Sequence, residues 1–237
     1  MGSPTQAFRY ESEMLPLVFP ELATVLGLRD SSLAYLPMPM IGNVIPDILI
    51  GSWSSAPSKS LTKLTYVDAA VFALLEACIE LSESDILSRI FLPSITAAKT
   101  FSKLQKVGAV EQTKSGSFKV VESASTQEIE IVAVELKMKR WRDALKQAVT
   151  YKRFANRAYV ILDENQVTVT SEMQVEFLSA GVGLLLQDGS KLQLVLHGDE
   201  ETDFTPDRVI AAQKLTQMLI GFTSAHTVAN AGTHFSK

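Results

Sequence analysis

Pro46-Asp47 stands at the head of a short apolar run, and Glu135-Leu136-Lys137 closes a longer one, Ile-Val-Ala-Val-Glu-Leu-Lys. Side chains alternate along a strand, so Glu135 and Lys137 face the same way and bring a carboxylate and an ammonium into one pocket. Two carboxylates can hold Mg²⁺ through hard oxygen ligands while a lysine stabilises or helps deprotonate a water attacking a phosphodiester. Glu11 or Glu13 offers a third carboxylate, with Glu11 fitting the apolar stripe of its helix better. Gln147 and Tyr151, four residues apart, share one helical face just downstream. A Glu-x-Lys triplet alone carries little weight. Its meaning here comes from its place at a strand end, after a Pro-Asp and ahead of the Gln and Tyr.

The elements that must position these residues follow from periodicity. Residues 7–18 read as a helix with Met14, Leu15 and Val18 on Glu11's side, kinked or restarted at Pro16 and Pro20. Residues 44–50 read as a buried strand that Pro46 demotes toward an edge or a strand start. The serine-rich stretch Ser52–Ser60 reads as an exposed linker. Three helices then follow: 67–80, a second opened by the Ser82 cap with Asp85 three residues on, and 94–106. In the third, Ile95, Ala98, Phe101 and Leu104 form the expected core stripe, opposite Thr96, Lys99, Thr100, Lys103 and Lys106. Segments 109–113 and 117–121 read as a hairpin around Lys114-Ser-Gly116.

Three helices plus a hairpin resemble a winged helix-turn-helix domain, with 94–106 in the recognition position and Lys114 at the wing tip. Many such domains bind proteins, and a helical spacer with solvated lysines has the same pattern. Beyond it, strand and helix alternate: strand 128–138, helix 141–155, strand 158–162, helix 171–180, strands 182–186 and 192–196, and a last helix from the Thr205 cap through about Phe222, with a mobile tail. The fold class expected is α/β, a central mixed sheet flanked by helices.

Pro46-Asp47, Glu135-Leu136-Lys137 and Gln147-Ala-Val-Thr-Tyr151 resemble the motifs of the PD-(D/E)XK nuclease superfamily, the last being similar to the Gln-x-x-x-Tyr motif of its RecB-like branch. The resemblance covers under half of the chain. It implies a nuclease-like domain over 1–65 and 122–237, interrupted between two neighbouring core strands by the 66–121 segment. By position it implies that Asp47, Glu135 and the Leu136 carbonyl hold Mg²⁺, or Mn²⁺ in its place, and that Lys137 orients the nucleophilic water. Gln147 and Tyr151 would support the site or touch DNA. The activity implied is metal-dependent DNA endonucleolysis in defence, repair or mobile-element processing. The alternative is a non-catalytic DNA-binding or assembly subunit that keeps the fold.

Charge adds a separate line. Between Lys137 and Arg157 stand Lys137, Lys139, Arg140, Arg142, Lys146, Lys152, Arg153 and Arg157, opposed only by Asp143, although the whole chain carries −4. Such a run suits phosphate attraction, and Lys139, Arg140, Arg142, Lys146 and Tyr151 are the expected DNA contacts there, with Lys99, Lys103, Lys106 and Lys114 on the second segment. The net charge excludes a uniformly basic histone-like chain. Three scattered histidines and the lone Cys78 give no zinc-finger framework, and that single cysteine fits a reducing cytosol, hence a cytoplasmic protein. No apolar run reaches the roughly 20 residues of a membrane helix, and no signal-peptide pattern opens the sequence. The apolar surplus of the last helix suggests a homodimer contact, and the non-catalytic alternative would make the chain a subunit of a larger nucleic-acid-processing complex.

Overall fold

The nine residues Ile-Glu-Ile-Val-Ala-Val-Glu-Leu-Lys form the strand around which the molecule is organised, because their β-branched side chains are buried on both sides. The computed structural model describes residues 8–28, 32–56 and 58–231. In chain order the elements are α1 (Glu11–Val25), β1 (Leu33–Pro37), β2 (Ile48–Trp53), α2 (Tyr66–Cys78), α3 (Glu83–Ile90), α4 (Ser94–Lys106), β3 (Val110–Gln112), β4 (Phe118–Val120), β5 (Ile129–Lys137), α5 (Trp141–Tyr151), β6 (Arg157–Asp163), α6 (Ser171–Ala180), β7 (Gly183–Asp188), β8 (Lys191–Leu196) and α7 (Pro206–Ala231).

Six strands form one mixed sheet in the order β1-β2-β5-β6-β7-β8. The pairs β5/β6 and β6/β7 are parallel, and the remaining neighbours are antiparallel. On one face Ile48, Ile50, Val132, Val134 and Leu136 pack under Met14, Val18 and Leu22 of α1. On the other, Leu49, Ile131 and Ala133 join a larger cluster with Tyr151, Phe177 and Leu215 of α5, α6 and α7. This is the expected α/β arrangement. Among the described residues no helix is long and apolar enough to cross a membrane.

Several expectations need correction. α1 runs unbroken through Pro16 and Pro20. Both prolines are exposed and lie four apart, so the carbonyls they leave without donors face water while the Met14-Val18-Leu22 ridge stays on the sheet. The strand expected over 44–50 begins at Ile48 and extends to Trp53, and Ser52 and Trp53, assigned above to a linker, are buried in it. Gly51 is what admits this packing, since a Cβ there would lie 2.8 Å from the Trp53 ring and 3.0 Å from Leu215 Cδ1. β1 has no counterpart among the expected strands; it is a short edge strand whose closing Pro37 is tolerated at its end.

The segment between the neighbouring strands β2 and β5 holds the three expected helices and the β3/β4 hairpin. Its buried side chains, among them Phe72, Leu75, Leu104 and Phe118, belong to the same cluster as Leu49 and Leu215, and α2 packs against α7. The α4 stripe is rotated from the expected one: Ala97, Thr100, Phe101 and Leu104 are buried, whereas Ile95 is 73% exposed. Spacings of three and four hold for both sets, and packing against α2 and β3 selects the observed one.

Candidate active site

Asp47 sits just before β2, Glu135 and Lys137 at the end of β5, Glu11 at the start of α1 and Tyr151 at the end of α5. Antiparallel pairing of β2 with β5, Ile48 opposite Val134, carries Asp47 to the level of Glu135. The Asp47 backbone faces β1, its carbonyl accepting the Met38 N–H at 3.0 Å. Its side chain turns the other way, and Oδ2 accepts the Leu136 N–H at 2.7 Å. Continuing the register by two residues sets Pro46 opposite Leu136. Proline has no N–H to give, so the Leu136 carbonyl, on the same strand edge as its N–H, receives no ladder donor from β2 and remains an oxygen beside the two carboxylates.

Lys137 Nζ lies 3.0 Å from Glu135 Oε1 and 3.1 Å from Glu11 Oε2, so the alternation read from the sequence places both β5 side chains together. Of the two candidate acids on α1, Glu11 is the one at the site. Glu13 is exposed and accepts the Arg9 N–H at 2.8 Å. The Tyr151 hydroxyl donates to Glu135 Oε2 and lies 3.3 Å from the Ile45 carbonyl. At 1% exposure Tyr151 is almost wholly buried, and its hydroxyl holds Glu135 in place. Gln147 stands exposed one turn before it.

Burial, together with the Glu11 charge, pushes the Asp47 carboxyl above the ordinary aspartate range against the pull of the Leu136 N–H and Lys137. Burial and the Asp47 charge raise Glu135 as well, against Tyr151 and Lys137. For Lys137 burial acts downward, but Glu135 and Glu11 outweigh it and keep the ammonium charged. Burial and Glu135 hold the Tyr151 phenol well above its usual value, so it stays a donor.

The Asp47 and Glu135 carboxylates, near enough for the Asp47 charge to raise Glu135, and the Leu136 carbonyl are hard oxygen donors of the kind that Mg²⁺ would take. No group of three or more His, Cys, Asp or Glu side chains with metal-holding geometry occurs among the described residues, so any hexacoordination would be completed by water. The sign of the linkage gives a test that needs no turnover. Raised carboxyl pKa values mean that the stabilisation from holding these protons is complete below the unfolded pKa and is lost as pH rises through the folded one. Asp47→Asn removes one of the two charges and keeps an acceptor for Leu136. Without metal at pH 7.5 it is expected to raise Tm by about 2–4 °C, the gain fading toward pH 4. Mg²⁺ should raise the Tm of the wild type and not that of the variant. Thermal scans that rank the two the other way would remove Asp47 from the site.

The basic run is largely neutralised in space. Arg140 pairs with Asp143, Arg142 with Glu172 and Glu176, Lys152 with Glu201, Arg153 with Asp207 and Arg157 with Glu130. Lys139 and Lys146 are exposed and without an ion pair among the described residues. On the segment between β2 and β5, Lys99, Lys106 and Lys114 are exposed, whereas Lys103, expected on the open face, pairs with the buried Asp68 that closes the capping box of α2.

Sequence reasoning missed Asp163, fully buried at the end of β6. Its Oδ2 accepts the Phe8 N–H at 3.1 Å and the Gln166 amide at 2.8 Å, and Gln166 also reaches the Phe8 carbonyl at 3.0 Å. This anchors the chain just ahead of Glu11. The available signal was a carboxylate at the C-terminal end of a strand parallel to β5. In the last helix Val209 and Leu215 are buried, and Ile210 and Leu219 half-buried, against their own chain, so this part of the apolar surplus serves intramolecular packing. Phe222, where that helix was expected to end, is followed by helical backbone to Ala231.

No protein-family model matches the chain, and no curated protein does. Among solved structures it is similar to the SPO1766 protein of unknown function from Silicibacter pomeroyi, at 21% identity over 46% of this chain and 67% of that one, with a TM-score of 0.28.

Proposed function

We propose that this chain is a metal-dependent DNA endonuclease of the PD-(D/E)XK kind, its core interrupted by a winged helix that helps hold the duplex. The observation that carries the reading is the convergence of Asp47, Glu135 and Lys137 at one end of the β2/β5 pair, with Tyr151 fixing Glu135 from behind. Asp47, Glu135 and the Leu136 carbonyl would hold Mg²⁺ or Mn²⁺, which when bound supplies the positive charge that stabilises phosphodiester hydrolysis. Lys137 donates hydrogen bonds to the attacking water and orients it, while Glu11 keeps the ammonium within reach. Lys139 and Lys146 attract the flanking phosphates. The decisive experiment is nicking of supercoiled plasmid in Mg²⁺ or Mn²⁺, stopped by EDTA and lost in Asp47→Ala with duplex binding retained.

One observation favours the second reading, a DNA-binding or assembly subunit without turnover: Lys137 lies between two carboxylates, so its charge is already satisfied inside the protein. Duplex binding by a wild type that never nicks would select it.

For the inserted segment, the geometry revises which lysines matter. Lys99→Glu with Lys106→Glu is expected to weaken duplex binding and flatten the log-log salt dependence by about 0.9 for each phosphate no longer neutralised. Lys103→Glu is expected to act on stability instead, because it sets a carboxylate against buried Asp68. A salt slope unchanged in the first variant would assign that face to solvent or to a protein partner.

A further inference from the structure

A cavity of about 450 Å³ is joined to the carboxylate site through Tyr151 and is lined by Asn43, Val44 and Ile45 on one side and by Lys146, Gln147, Thr150 and Tyr151 on the other. Tyr151 belongs to both places: it is among the residues that line the cavity, while its hydroxyl holds Glu135 and approaches the Ile45 carbonyl. The wall on the loop side is fixed in advance. Ile41 and Val44 bridge across a two-residue turn in which Gly42 takes φ +59, as such turns require at that position. Arg153 packs against that glycine and donates to the Ile41 carbonyl and to Asn43 Oδ1, at 3.3 and 2.7 Å. With its oxygen so occupied, the Asn43 amide keeps its NH₂ group for a ligand.

The lining combines apolar walls, two amides and one cation. Ile45 is 46% exposed in it, and the Gln147 amide is exposed on its rim. An alkyl ligand would leave the amides unused, and a sugar would leave Val44 and Ile45 uncovered. A flat heterocycle with donors and acceptors on its edge uses both, and Lys146 at the mouth complements the phosphate that such a group carries in a nucleic acid. We propose that this cavity receives one unstacked nucleobase next to the scissile phosphate, so that the preferred substrate is DNA with an unpaired nucleotide at the cut: a flap, bubble or duplex to single-strand junction. The inference rests on the nuclease reading and narrows its substrate. A fully paired duplex would first have to unpair and unstack a base, which makes it the poorer substrate.

The test places an abasic nucleotide at successive positions around the cut in a junction oligonucleotide and compares cleavage rates. Expected is a loss of about ten-fold at one position and little elsewhere. Ile45→Trp, which fills the cavity, should bring cleavage of the intact junction down to the wild-type rate on the abasic one, with no further loss when both changes are combined. The substrate series uses the wild type alone, so it stands whether or not the variant folds. In parallel, 2-aminopurine at the unpaired position is followed by fluorescence on binding to Asp47→Ala. Expected is a rise, because the base leaves its stacked neighbours. Junctions cut in an Asp47-dependent way, with no abasic penalty and no fluorescence rise, overturn the pocket and leave the nuclease reading intact. The fluorescence rise without any cleavage by the wild type supports the pocket and overturns the nuclease reading. A protein that binds no DNA overturns both.

Discussion

Lys137→Ala is expected to lower metal-dependent cleavage by about 10²- to 10⁴-fold, the range a positioned proton-handling group contributes, with metal affinity undiminished. The ammonium is no ligand for a hard cation, and its removal takes a positive charge away from Glu135 Oε1, which lies 3.0 Å distant. Mg²⁺ should therefore bind the variant at least as tightly as the wild type at neutral pH. A merely structural lysine would behave differently, disturbing the fold and both measurements together. Calorimetric titration beside single-turnover cleavage separates the cases, and wild-type turnover in the variant would strike Lys137 from the mechanism. Lys137→Arg should restore the positive charge without full activity, since the planar guanidinium cannot place its donors as the compact ammonium does.

The largest stability loss is expected far from that site, at Glu76. This α2 residue is buried and accepts hydrogen bonds from the Ser125 hydroxyl and from both the N–H and hydroxyl of Thr126. Arg208 of α7, also buried, reaches the Thr126 and Ile129 carbonyls at 3.5 and 3.3 Å, and its guanidinium, pushed down by burial, is supported by the charges of Glu76 and Glu200. Glu76→Ala strands the Thr126 donors and withdraws a counter-charge from Arg208. A loss of about 3–5 kcal/mol follows from breaking such a buried arrangement on one side. Urea denaturation reads it directly, and a change under about 1 kcal/mol would mean that water replaces the carboxylate without penalty.

How far the fold was legible depended on how local its causes are. β5, α4 and the β3/β4 hairpin each carry their own periodicity, turn residues or caps, and each appears within a residue or two of its expected place. β1 escaped because Leu-Ala-Tyr-Leu-Pro has neither length nor alternation, and only pairing with β2 makes it a strand. The carboxylate and lysine of β5 were legible because alternation is a property of the strand itself. The reach of Tyr151 to Glu135 was not, since it depends on how α5 crosses the sheet. The basic run misled for the same reason. Glu130, Glu172, Glu176, Glu201 and Asp207 neutralise it from β5, α6, the stretch before α7 and α7 itself, and no window along the chain contains both partners.

The packing of α2 on α7 also bears on the ancestry of the molecule. A cassette acquired between two strands and carried as a passenger would leave a sealed surface behind if it were excised. Here the segment between β2 and β5 shares one apolar cluster with the rest of the chain and covers a face of the last helix, the element farthest from it along the chain. Trimming the gene between β2 and β5 would therefore uncover apolar surface on α7, and transplanting the segment into another protein would expose the matching face of α2. On the insertion reading proposed above, host and segment would have accumulated their substitutions together, so a homologue lacking the segment should differ most in α7, not at the two splice points.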